Sequence, residues 1–121
     1  MANSEVNILG TDYKIVVKKY GDDEAFERRS IDGYCDQLLK QIVICDMTTY
    51  KGWENEPVET AKEAQKQTLR HEIVHAFFSE SGLSDSGLSF EGAWCKNEEL
   101  VDWIAWQGPK IHKAWEMANA I

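Results

Sequence analysis

The sequence predicts one α+β domain over residues 1–121, with a short, mostly antiparallel three-stranded sheet packed on two long helices. Three observations lead there. Residues 13–45 carry β-branched and aromatic runs broken by turn residues, residues 58–81 hold neither Gly nor Pro, and apolar residues return at helical spacing after Asn97. A chain of 121 residues fits one domain, and 43% hydrophobic with 28% charged residues is ordinary globular usage.

Residues 13–19 (YKIVVKK) read as the first strand, which Gly21, Asp22 and Asp23 end. Residues 22–29 suit a loop or a short helical turn. Asp32 and Gly33 are a turn signal, and two short strands follow at 34–39 and 41–45. The second, QIVIC, is the strongest strand candidate in the chain. Hairpin-length connectors make antiparallel pairing the simplest arrangement.

Pro57 suits the first turn of a helix. The residues after it are mostly Ala, Glu, Lys, Gln and Leu, all good helix formers. This helix begins with a solvated face (Glu59, Lys62, Glu63, Lys66) and becomes apolar nearly all round from Leu69 to Phe78, so it starts at the surface and ends in the core. Gly82 is a natural stop. Residues 83–96 form a Ser- and Gly-rich connector. Asn97 is a good N-cap, and Glu98 and Glu99 occupy the first turn, where the helix dipole favours acids. Gly108 and Pro109 are expected to break this helix, leaving a last one over 110–120.

A net charge of −8 argues against a nucleic-acid partner, because a phosphate footprint needs clustered Lys and Arg. The three cysteines, Cys35, Cys45 and Cys95, form no CxxC and no framework of pairs, so reduced thiols in the cytoplasm are expected. The N-terminus lacks the pattern of a secretory signal, and no apolar stretch is long enough to span a bilayer, so no membrane partner is expected.

The chemistry is concentrated in His71-Glu72-Ile73-Val74-His75, an HExxH. Residues four apart share a helix face, so His71 and His75 can present imidazole nitrogens to one metal ion. Glu72 lies one residue round, close to the metal, in a place suited to a general base acting on water. The motif sits where its helix becomes apolar, and it uses two of the chain's three histidines. A catalytic zinc takes three protein ligands and keeps one position open. Phe78 and Ser81 stand where an HExxHxxGxxH pattern would need Gly and His, so the third ligand comes from elsewhere.

HEIVHAFFSESGL resembles the active-site helix of the glutamate-zincin (gluzincin) branch of the zincin metallopeptidases, and Asn97-Glu98-Glu99-Leu100-Val101-Asp102 is similar to the NExxxD segment of its thermolysin-like members. The resemblance covers roughly residues 40–107. In layout it is close to the small minimal zincins of phages, mobile elements and bacteria. It implies a minimal zincin fold, one zinc ion (Zn2+) per chain, Glu98 as the third ligand, and Asp102 as the carboxylate that orients a ligating histidine. Glu99 is the rival ligand. It points about 100° away and has Trp103, where Glu98 has Asp102, one turn on.

The implied activity is hydrolysis of a peptide bond in a protein or peptide substrate, with Glu72 as general base. Tyr34, Tyr50 and His112 are candidate oxyanion donors by residue type only. In zincins an extended substrate pairs with the edge strand beside the active helix, here QIVIC or the run before it. Phe90 and Trp94 are pocket walls or plain packing, and Cys95 is a buried thiol or a further ligand. The competing reading is a zincin-fold metal-binding protein without peptidase activity, acting as an interaction or regulatory module. A di-metal carboxylate protein ranks last, because Glu72 to His75 is the only Glu-x-x-His.

Overall fold

The computed structural model describes residues 4–83 and 94–121. The architecture is α+β. Strands β1 (Ser4–Ile8), β2 (Thr11–Lys18), β3 (Gly33–Asp36) and β4 (Gln41–Cys45) form one sheet, with a single helical turn α1 (Ala25–Arg28) between β2 and β3. Helices α2 (Val58–Glu80) and α3 (Glu98–Met117) complete the described fold.

The sheet departs from the expected three antiparallel strands. It has four, in the order β1-β2-β4-β3, with β1 and β3 antiparallel to their neighbours and β2 parallel to β4. The additional strand is β1. It turns into β2 through Leu9 and Gly10, both at positive φ (51° and 95°), the backbone of a tight two-residue hairpin. Asn7 stabilises the turn by accepting from the Gly10 N–H at 3.0 Å and donating to Asp12 Oδ1 at 2.9 Å. Leucine at a left-handed position is an uncommon turn signal, which hides this hairpin in the sequence. The parallel pairing arises because the chain between β2 and β4 doubles back through α1 and β3, so β4 slots between them.

QIVIC is therefore the central strand and not an edge. Ile42 and Ile44 face α2 with Tyr13, Ile8 and Ala76, while Val43 faces Phe26 of α1 on the other side. Burial of both faces explains why this strand is apolar along its length. The edge beside α2 is β3, starting at Gly33 and shorter than the 34–39 run expected. Asp36 Oδ1 accepts the N–H groups of Leu38 (3.1 Å) and Leu39 (3.0 Å), which converts that end of the run into a turn.

Helix α2 lies across β3 and β4 and is tied down along its length. Gln65 Oε1 accepts the Met47 N–H at 3.1 Å, and the Thr68 hydroxyl lies 3.1 Å from Asp32 Oδ2. At the far end Glu80 pairs with Lys40 and accepts from Tyr13 Oη at 2.7 Å. Helix α3 packs on α2 through the buried Val101 and Ala105. It does not break at Gly108-Pro109 but runs on to Met117. Proline removes the N–H that would bond to the Ala105 carbonyl. Arg70 Nε of α2 donates to that oxygen at 2.9 Å, so the carbonyl that proline orphans is satisfied from the neighbouring helix. Among the described residues no helix is long and apolar enough to cross a membrane.

A Cβ on Gly33 would lie 2.8 Å from Thr68 Cγ2 and 3.1 Å from the Val43 carbonyl oxygen. Gly33→Ala is expected to push α2 off the strand and lower stability by about 1–3 kcal/mol, read from the denaturant midpoint. An unchanged midpoint would show that the helix–strand approach is not tight.

Asp23 offers a second test. Burial alone would raise its pKa, but hydrogen bonds from Tyr34 Oη (2.6 Å), the Ala25 N–H (3.0 Å) and Lys18 Nζ (3.3 Å) hold it below the usual aspartate value. A folded pKa below the unfolded one adds stability that is complete above the unfolded value and lost as pH falls through the folded one. Tyr34→Phe should therefore cost about 1–2 kcal/mol near pH 6, with the difference shrinking below about pH 4. A difference that does not vary with pH would remove this account.

Candidate metal centre

The helix geometry brings the two histidines of α2 to one point, and the Asn97 cap starts α3 beside them. Asn97 Oδ1 accepts the Leu100 N–H at 3.0 Å, which fixes the first turn from which Glu98 and Asp102 project. His71 Nε2 lies 3.1 Å from His75 Nε2 and 3.4 Å from Glu98 Oε1, and His75 Nε2 lies 2.8 Å from the same Glu98 oxygen. Donor atoms bound to one tetrahedral zinc ion sit roughly 3.3 Å apart, given metal–ligand bonds of about 2.0–2.1 Å. Two imidazoles and one carboxylate at this spacing fit such an ion and leave a position open.

Asp102 Oδ1 accepts from His71 Nδ1 at 2.7 Å. That bond holds the ring with Nε2 toward the shared point. Burial pushes the His75 pKa down, with Glu98 opposing. Glu99 does not join this group. It lies exposed on a different face of α3, with Trp103 and Gln107.

Glu72 is only 6% exposed, unlike Glu98, and its Oε2 stands 3.9 Å from His71 Nε2. Burial raises its pKa to about 7, with His71 pulling the other way and Glu98 and Asp32 adding to the rise. A group near that value can both accept and return a proton at neutral pH.

The site opens on two sides of Glu72, and Gly33 of β3 borders both. One opening is a recess of about 500 Å³ reaching Asp32, Tyr50, Trp53 and Trp106. The other is a groove of about 660 Å³ that includes Arg29, Tyr34 and Lys96. Sequence reasoning gave Arg29, Asp32 and Lys96 no part in the site. Each is an ordinary charged residue beside a turn or cap, and only the packing of α1, β3 and α3 around α2 brings them to the cleft.

The three candidate oxyanion donors are not available there. Tyr50 Oη donates to the Ile31 carbonyl at 3.1 Å, and Tyr34 Oη is committed to Asp23. His112 lies ten residues beyond Asp102 on α3, exposed, with its Nδ1 3.6 Å from Glu116. Cys95 is fully buried. Phe90 and the side chain of Trp94 lie outside the described residues.

Elemental analysis of purified protein tests the ligand set. One zinc per chain is expected in the wild type and in Glu99→Ala, with loss in His71→Ala and in Glu98→Ala. Retention by Glu98→Ala with loss from Glu99→Ala would mean that the neighbouring glutamate is the ligand.

The chain matches no protein-family model, no curated protein and no solved structure.

Proposed function

We propose that this protein is a zinc-dependent metallopeptidase of the gluzincin type, a minimal zincin that hydrolyses a peptide bond in a protein or peptide substrate. One observation carries the reading: His71 Nε2, His75 Nε2 and Glu98 Oε1 converge within 3.4 Å of one another, with the Glu72 carboxylate buried beside them. His71, His75 and Glu98 would hold the ion, and Asp102 orients His71. A zinc ion bound there supplies Lewis acidity toward a carbonyl oxygen and makes water more acidic.

The chain's own residues do the rest. Glu72 takes a proton from water as the water oxygen bonds to the scissile carbonyl carbon. It passes that proton to the amine nitrogen as the C–N bond breaks. Strand β3 is an edge of the sheet among the described residues and lies along the cleft, where an extended chain can add as a further strand. Cysteines in no disulfide suit the reducing cytoplasm, which is where we place the protein.

A second reading draws support from the three candidate oxyanion donors. With Tyr34 and Tyr50 committed and His112 remote, the same centre serves a metal-binding protein that regulates or recruits without cleaving.

Glu72→Gln separates the two. It is expected to keep one zinc per chain and to lose peptide hydrolysis by roughly 10²–10⁴-fold. Undiminished cleavage by that variant would remove Glu72 as the base. Zinc binding without hydrolysis in the wild type would leave the regulatory reading standing.

A further inference from the structure

We propose that the recess on the Asp32 side of the site receives a cationic side chain, lysine or arginine, from the peptide substrate. This rests on the peptidase reading above and names the substrate class it acts on. The volume of about 500 Å³ lies within the roughly 300–1,000 Å³ of ordinary ligand pockets. The rings of Tyr50, Trp53 and Trp106 line it, and no Lys or Arg does.

Asp32 gives the recess its character. Glu72, Glu98 and Asp102 also border it; the last two are engaged by the histidines, and Glu72 lies buried where the two openings meet. Asp32 is partly buried, and Thr68 is the only side chain hydrogen-bonded to its carboxylate among the described residues. None of their ion pairs includes it. Its charge is therefore left for a ligand to answer. The aliphatic stem of a lysine or arginine would lie on the aromatic walls, its charged end would gain from their π faces, and Asp32 would supply the counter-charge. The opposite groove is less suited to a cation, because Arg29 and Lys96 stand in it beside Asp36. The recess lining thus carries carboxylates and no Lys or Arg, whereas the groove mixes both signs.

The test uses two peptides that differ at one residue, arginine or its neutral isostere citrulline. Both are titrated calorimetrically into Glu72→Gln protein with zinc supplied, so that binding is read without turnover. Metal-stripped wild-type protein gives the same comparison if that variant does not fold. The arginine peptide is expected to bind about tenfold more tightly. Asp32→Asn, whose amide oxygen still accepts from Thr68, should erase the difference. Equal binding of the two peptides, binding of neither, or a preference that survives Asp32→Asn would overturn the assignment, whether or not the wild type cleaves peptides. Charge-selective binding with no cleavage of either peptide by zinc-loaded wild type would sink the peptidase reading and leave the recess as a binding site.

Discussion

The seating of α2 on the β3–β4 pair is the constraint on which the rest of the molecule depends. Both histidines and the buried Glu72 belong to this helix, and its height above the sheet is set where Gly33 lacks a side chain and Thr68 fills the gap. A glycine at that position lets helix and strand approach closely, at the cost of a side chain that would otherwise pack. The ties at Gln65, Thr68 and Glu80 then fix the helix along its axis, so the metal-facing side cannot rotate away from the cleft. The Ile42, Ile44 and Ala76 contact adds apolar adhesion, and the polar ties supply register.

Helix α3 depends on α2 in turn. The Arg70 to Ala105 bond and the His71 to Asp102 bond join the same two helices one turn apart, one supporting the backbone and the other orienting an imidazole. The first makes Pro109 tolerable. The second couples ligand orientation to helix packing, so a change that shifts α3 also disturbs His71. Glu98, on the first turn of α3, is held by the Asn97 cap and by its neighbours at the centre, without burial of its own.

Much of this was legible in the sequence, and what was not has identifiable physical causes. The span of α2, the Asn97 cap and the four-residue spacings of His71 with His75 and of Glu98 with Asp102 are local properties of a helix, and local periodicity carries them. The parallel pairing of β2 with β4 is not local. Hairpin-length gaps suggest antiparallel neighbours, and nothing in either strand announces that a third will pair on the far side. The Leu9-Gly10 turn lacks the residues that usually mark its type. Continuation of α3 through Pro109 depends on a donor more than thirty residues away. The recess at Asp32 is a property of assembly, since its walls come from separate segments of the chain.

The sheet also constrains the order in which the molecule is built. It consists of two hairpins, β1–β2 and β3–β4, joined at a single parallel seam between β2 and β4. Each hairpin closes a short loop and can form within microseconds from contacts near in sequence. The seam must close over all the chain between β2 and β4, including α1 and β3, and such long-range pairing is slow to nucleate. The platform for α2 is complete only when that seam has zipped, because β4 contributes Ile42 and Ile44 while β2 contributes Tyr13. The late step in folding is thus the same event that creates the surface on which the histidine-bearing helix settles.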